Sequence, residues 1–333
     1  MYTFLVTVLL MGIVKKNSLR EYWSTDPMFA TPFFASLFSQ DRFLVLLRCL
    51  HFVNNATAIL SDLLYKIRNV LISLTSAFGR VFVPYKDVCI DESLMLWKGR
   101  LAFRQYIPSK MHRFGVKFFV MCDVKTGFVQ DIIVYTGSTT DIKHYEGLGV
   151  LGSVVMTMLA SHLGKGHTLY VDNWYSSPTL FQHLLSNSTG ACGTVRSNRK
   201  GMPAFGCRKM QRGEVEFQEN GKVDHLTGER KIKPDCVLDY NLKMGAVDKA
   251  DMINSFVECT RKTNKWYKKI FFHLIDTAVL NGSIVHRQLT GKVITYQKYR
   301  ENLMRELLEE HHTPLRPSTG GRPAVDNPLR LTA

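Results

Sequence analysis

Two short apolar runs in this chain end in an aspartate. One reads Val-Lys-Phe-Phe-Val-Met-Cys-Asp over Val116–Asp123, the other Thr-Leu-Tyr-Val-Asp over Thr168–Asp172. β-Branched and aromatic residues in runs of this length mark buried strands, and open α/β sheets gather ligands at the carboxyl ends of their strands. A further acidic pair, Asp248 and Asp251, sits three residues apart in Gly245-Ala246-Val247-Asp248-Lys249-Ala250-Asp251, a spacing that shares one helical face. Carboxylates at positions 123, 172 and 248, brought to one crevice, repel each other unless cations lie between them. Hard oxygen ligands of this kind suit two Mg²⁺ or Mn²⁺ ions about 3.5–4 Å apart, which activate water or a 3′-hydroxyl on one side of a phosphorus and stabilise the leaving oxygen on the other. Each aspartate also has a plainer reading. Asp123 precedes Lys125-Thr126-Gly127 and suits a turn cap, Asp248 suits a helix N-terminus, and Asp251 suits a solvated helix face.

Basic residues form two groups. Lys98, Arg100, Arg104, Lys110, Arg113 and Lys117 are interleaved with Phe103, Tyr106 and Phe114, with no acidic side chain between them. That pattern fits a surface tracking a nucleic-acid backbone. The second group is Arg261, Lys262, Lys265, Lys268 and Lys269. Trp266 within it could stack on an unpaired base or serve as a core tryptophan beside a solvated helix. Asp91-Glu92 are the main competing carboxylates and read as structural or DNA-adjacent residues, within pairing reach of Arg100 or Arg104. His311-His312 and the remaining histidines show no metal-ligand spacing.

The elements that must position these residues fall into three stretches. Residues 1–75 read as helical, with a capping box at Ser18–Glu21, a helix start at Thr31-Pro32, and helical periodicity over Ser39–Leu50 and Ser61–Phe78. After Gly79 the pattern shifts to short apolar runs, and residues 116–195 alternate strand and helix. A hairpin of Val116–Asp123 with Phe128–Tyr135 opens this part. The order predicts an α/β fold with a mixed sheet and helices packed on it. Residues 196–238 are glycine-punctuated and polar, with strand character only at Glu214–Phe217, and read as an insertion. A helix is expected through Asn241–Val257 and another through Phe271–Arg287. The tail from Thr313 is expected to be a mobile linker.

The chain has 333 residues, 45% of them hydrophobic and 21% charged, which is globular composition with room for a sizeable core. Its formal charge of +15, from 43 Lys+Arg against 28 Asp+Glu, favours a polyanionic partner, nucleic acid before membrane. Seven scattered cysteines without a Cys-x-x-Cys pair argue against a zinc module and a disulfide framework. Met1–Val14 is apolar but too short to span a bilayer and has no basic residue ahead of it. It is expected to be a buried helix whose beginning lies outside this sequence, and no membrane partner is expected.

Several short motifs then occur in a recognisable order. They include Tyr22-Trp23-Ser24, Arg48-Cys49-Leu50-His51-Phe52, Ile90-Asp91-Glu92-Ser93, Tyr106-Ile107-Pro108, Met121-Cys122-Asp123, Val171-Asp172-Asn173-Trp174, Gly193-Thr194-Val195-Arg196, Val247-Asp248-Lys249-Ala250-Asp251 and Arg261–Trp266. In this order they resemble the piggyBac family of cut-and-paste DNA transposases. The resemblance implies an RNase H-like catalytic core and an aspartate triad matched to Asp123, Asp172 and Asp248, with Asp251 at a further acidic position. It also implies two Mg²⁺ or Mn²⁺ ions, double-stranded DNA as partner, a TTAA target, a homodimer and a nuclear location. Its division of the chain is a helical dimerisation and DNA-binding region over 1–113, catalytic core over 114–200 and 239–258, a shortened insertion over 201–238, a basic helical DNA-binding region over 259–305, and a flexible tail over 306–333. The family's cysteine-rich terminal module has no counterpart here, so the rival expectation is a domesticated or truncated DNA-binding protein that no longer cleaves.

Overall fold

The structure is a computed structural model that describes residues 1–57, 59, 61–108, 113–202, 217–223, 230–258, 263 and 265–313, with backbone alone for 57, 217–223 and 230–234. It divides into two compact units, Met1–Cys49 with Asn302–Ala333, and Leu50–Glu301. In the first unit lie α1 (Tyr2–Ile13), α2 (Pro32–Leu37) and α3 (Gln40–Cys49). The apolar N-terminal run is a buried helix, as expected: Phe4, Val6, Val8, Leu9 and Met11 of α1 are all covered, and Phe4 stacks on Phe43 of α3 at 5.3 Å. Ser18–Glu21 does not form the expected capping box. Residues Leu19–Trp23 make a short 3₁₀ turn, Ser18 caps nothing, and the Glu21 carboxylate accepts from the Asn17 N–H at 3.1 Å instead.

The second unit carries α4 (Arg68–Val81), β1 (Asp87–Leu96), β2 (Gln105–Tyr106), β3 (Phe114–Asp123), β4 (Val129–Val134), α5 (Gly149–Leu159), β5 (Thr168–Val171), α6 (Pro178–Ser186) and β6 (Gly190–Gly193). It continues with β7 (Phe217–Val223), β8 (Arg230–Pro234), α7 (Asp235–Lys243), α8 (Ala246–Val257), α9 (Trp266–Thr290) and α10 (Tyr296–His311), the last running on into the first unit. α4 begins later than periodicity suggests, because Asp62 accepts from the Leu64 N–H at 2.9 Å and holds the preceding residues in turns. Among the described helices none is long and apolar enough to cross a membrane.

The main sheet is mixed. β1 is its centre, pairing antiparallel with β3 and parallel with β5, while β6 lies parallel to β5 and β4 antiparallel to β3. β1 falls inside the 1–113 region that the family resemblance assigns as helical, and it is ten residues long where the pattern after Gly79 reads as short apolar runs. The antiparallel β7–β8 pair forms a separate two-stranded sheet.

Alternate residues of the central strands enter different cores, as the two-residue period requires. Cys89, Phe118, Val120, Cys122 and Tyr170 join Val247 and Ala250 of α8 and Ile270 and Leu274 of α9. Val88, Ile90, Phe119, Met121 and Val171 join α5 and α6 through Val155, Leu159, Leu180 and Leu184. Helices on both faces explain why β3 reads as one continuous apolar run.

Candidate active site

The register across the sheet decides which aspartates can meet. β1 and β5 run parallel, with Cys89 opposite Tyr170 and Ile90 opposite Val171. The next residue in each case is an aspartate, so Asp172, just past the end of β5, lies beside Asp91, midway along β1. They share the face of Cys89 and Tyr170, which is the face that α8 covers. α8 adds Asp248, exposed, and Asp251, half-buried. Two residues beyond Asp91 on that face, the buried Ser93 Oγ donates to Asp251 Oδ1 at 2.8 Å, tying strand to helix. The charges are close enough to act on common neighbours. Burial pushes the Cys89 thiol up to about 12, and the charges of Asp91 and Asp248 add to the rise. The Tyr240 hydroxyl is raised by burial and by the carboxylates of Asp172 and Asp91.

Asp123 is elsewhere. β3 runs antiparallel to β1, and Asp123 pairs with Val88 near the start of β1. Val88 in turn pairs with Leu169, three residues before Asp172, a separation of about 10 Å along the strands. Asp123 also lies on the opposite face, with Val88 and Met121. Its carboxylate is 0% exposed and accepts three hydrogen bonds, from the Tyr85 N–H (2.8 Å), the Thr126 N–H (2.8 Å) and the Thr126 hydroxyl (2.6 Å). Gly127 completes the turn at φ +77°, a conformation that L side chains rarely adopt. Asp123 is therefore the turn cap of the β3–β4 hairpin rather than a partner of Asp172. Asp91, in turn, lies within a strand and not ahead of one. Of the residues expected to pair, Glu92 accepts from the Tyr175 hydroxyl at 3.1 Å, and the Arg104 guanidinium donates to the Lys98 and Gly99 carbonyls and lies 5.1 Å over Phe114.

Asp172 sits in a tight loop. Its Oδ1 accepts from the Trp174 N–H at 2.9 Å, and its carbonyl accepts from the Ser176 hydroxyl at 2.8 Å. Gly193 on β6 allows that loop to close, because a Cβ there would lie 2.5 Å from the Val171 carbonyl and 2.6 Å from Ser176 Oγ. Burial raises the Asp172 carboxyl above its usual range, and the negative Glu92 nearby adds to this, against the pull of the loop N–H groups. A carboxylate so placed gains from a nearby cation. The donor chemistry of Asp91, Asp172, Asp248 and Asp251, all hard oxygen, fits Mg²⁺ or Mn²⁺. Among the described residues, however, no three His, Cys, Asp or Glu side chains are gathered closely enough to enclose an ion.

The two basic groups come together. Phe103, between Arg100 and Arg104, packs edge-on against Trp266 at 5.3 Å and 86°. Lys98, Arg100, Arg104, Arg113 and Lys265 are exposed, as a surface tracking a backbone needs. Four assignments change. Lys117 and Lys268 are buried, Lys269 is paired with Glu258 at 3.3 Å, and Trp266 is half-buried against the core, so the core reading of this tryptophan is the one its contacts describe. Lys110, Arg261 and Lys262 lie outside the described residues.

One basic feature emerges only from the structure. A cleft of about 450 Å³ beside the Asp172 loop is lined by Trp174, Arg196, Asn198, Arg199 and Lys200. Arg199 donates to the Asn173 and Trp174 carbonyls at 2.8 Å, so it anchors the loop as well as charging the cleft. Its trace in the sequence is Arg196-Ser197-Asn198-Arg199-Lys200, three basic residues just after β6.

The family model described as transposase IS4 matches residues 1–231 and 222–283. Human PiggyBac transposable element-derived protein 3 is 25% identical over 366 residues, covering 97% of this chain and 61% of that protein. Human PiggyBac transposable element-derived protein 2 is 21% identical over 320 residues, covering 84% and 54%. The chain thus spans little more than half the length of these relatives. Among solved structures, the piggyBac transposase synaptic complex with hairpin DNA matches with a TM-score of 0.79 and 25% identity, over 92% of this chain and 70% of that one. The fold and these matches lead to one conclusion: the chain belongs to the piggyBac-type transposase family.

Proposed function

We propose that this chain is the core of a DNA-cleaving and strand-transferring transposase, built on an RNase H-like sheet, whose chemistry is carried by Asp91, Asp172 and Asp248 with Asp251 beside them. The observation that supports it is the parallel register of β1 and β5, which sends Asp91 and Asp172 out together beneath the helix bearing Asp248 and Asp251. Divalent ions bound by these carboxylates would supply Lewis-acid activation of the attacking oxygen and charge stabilisation at phosphorus. The chain's own groups do the rest. Ser93 fixes Asp251 against β1, and the Trp174 and Ser176 contacts hold Asp172 at the sheet's end. The exposed Lys98, Arg100, Arg104, Arg113 and Lys265, with Arg196 and Lys200 of the cleft, offer phosphate contacts that position the duplex without reading its bases. Target choice and dimerisation rest on the family resemblance alone.

The test is Mg²⁺- or Mn²⁺-dependent nicking of a DNA duplex by the purified chain. Nicking that disappears in Asp91→Asn and in Asp172→Asn supports the assignment. A second reading, a DNA-binding protein that no longer cuts, draws on the absence of a closed carboxylate cage among the described residues. It stands if the chain binds duplex with strong salt dependence but cuts with neither ion.

A further inference from the structure

Lys117 stands at a position of β3 that the alternation of the strand assigns to hydrocarbon. Phe119 and Met121, on the same face of that strand, enter the core shared with α5 and α6, and Lys117 is only 7% exposed. A buried ammonium is unfavourable unless its surroundings make up for the lost water. Aromatic rings supply part of that here. The Lys117 Nζ lies 5.0 Å from the centre of the Phe119 ring, 5.3 Å from that of Trp174 and 6.0 Å from that of Tyr135, all within the range at which a ring face attracts a cation. The Tyr135 N–H donates to the Lys117 carbonyl at 2.9 Å, which keeps that ring opposite, and Phe119 meets Tyr135 edge-on at 5.8 Å.

Two of these rings belong to the β3–β4 hairpin. The third, Trp174, belongs to the Asp172 loop and is otherwise 44% exposed. Its N–H donates to Asp172 Oδ1 at 2.9 Å, and the Ser176 N–H donates to the Asp172 carbonyl at 3.2 Å, so the loop moves as a unit with its aspartate. Two cations grip that unit. Arg199 donates to the Asn173 and Trp174 carbonyls and fixes the backbone, while Lys117 meets the indole and fixes the side chain. The ammonium is also within electrostatic reach of the Asp172 carboxyl: burial raises that group, and the charge of Lys117 is among the pulls against the rise. A methionine or leucine at this position would fill the space equally well, but would not draw the ring of Trp174 onto the hairpin.

We infer that Lys117 is a positioning residue for Asp172: its ammonium, seated among Phe119, Tyr135 and Trp174, holds the indole and with it the loop that sets the Asp172 carboxylate beside Asp91. What Asp172 does there rests on the proposed catalytic function; how it is held does not. The test is Lys117→Met, which keeps the apolar stem and removes the charge, with Lys117→Arg as the conservative partner. Amide hydrogen exchange over residues 172–176 of the DNA-free chain is read first. Those amides should exchange at least tenfold faster in Lys117→Met at a Tm no lower than wild type, because an apolar isostere at a buried charge is often neutral or stabilising. Lys117→Arg should restore the protection, since a guanidinium also sits on aromatic faces. In nicking assays Lys117→Met should lower kcat at least tenfold with KM for duplex unchanged, and Lys117→Arg should recover it. If Lys117→Met folds poorly, Trp174→Leu removes the other partner of the contact; it should loosen the same amides, and adding Lys117→Arg to it should loosen them no further. Wild-type exchange in a folded Lys117→Met or in Trp174→Leu, equal loosening in Lys117→Met and Lys117→Arg, or unchanged kcat in an active Lys117→Met would each overturn the inference. A wild-type chain that never nicks overturns the catalytic function instead, and the exchange result still decides the grip on the loop.

Discussion

The end of β3 and the end of β5 look alike in sequence and do opposite work. Each is an apolar strand closing on an aspartate. On β5 the strand runs with its neighbour β1, and Asp172 emerges from the carboxyl end of β5 beside Asp91 of β1. On β3 the strand runs against β1, and Asp123 is delivered to the far end and the other face, where two backbone N–H groups and a hydroxyl take its charge. A strand-end aspartate is thus a candidate ligand only relative to the direction of its neighbours. Desolvation follows the same division. Asp123 is fully buried and held by three hydrogen bonds, whereas Asp172 is half-buried with its carboxyl pushed up by burial and by Glu92.

The sharpest test of this contrast is paired substitution. Asp91→Asn and Asp172→Asn should reduce nicking to background with no loss of Tm, while Asp123→Asn should cut at a near wild-type rate per folded molecule. Loss of nicking in a fully folded Asp123→Asn would restore Asp123 to the site and break the comparison. Next in size is stability. Asp123→Ala leaves buried donors unpaired and should cost about 2–4 kcal/mol in urea unfolding, against less than about 1 kcal/mol for Asp91→Ala at its half-exposed position.

The basic residues extend the comparison to the surface. Lys98→Ala with Arg100→Ala should lower the slope of log K against log salt for duplex binding by about 0.9 for each phosphate that is no longer neutralised. Lys268→Ala, at a buried position, should lower Tm and leave that slope unchanged. The smallest effect concerns pH. The Asp172 carboxyl is raised in the folded state, so the folded protein holds its proton more tightly than the unfolded chain and stability falls as pH rises through that window. Asp172→Asn should therefore melt slightly higher than wild type at neutral pH without added metal, with the difference vanishing below the ordinary carboxylate range. Mg²⁺ should raise the wild-type Tm and not that of the variant.

Much of this is legible in the sequence. The β3 and β5 runs, the helix through Asp248 and Asp251, the start of α6 at Ser177-Pro178 and the buried N-terminal helix all follow from local composition and spacing. The Ser177 hydroxyl indeed accepts from the Leu180 N–H at 3.2 Å. β1 reads short because its polar residues Asp91, Glu92 and Ser93 interrupt the apolar pattern, and those are the residues that the proposed site uses. Arg196–Lys200 carry little signal of their own, because a short basic run after a strand resembles any solvated loop until Trp174 is seen to close the cleft.

Sequence alone determined the inventory: acidic residues suited to divalent ions, cations suited to phosphate, and the local strands and helices that carry them. These depend on side-chain chemistry and on periods of two and 3.6, which neighbours in the chain settle among themselves. Only the tertiary structure decided which carboxylates meet. Strand order, direction and register arise from contacts between residues far apart in sequence, and a carboxylate three residues out of register, on the other face of a sheet, belongs to a different site.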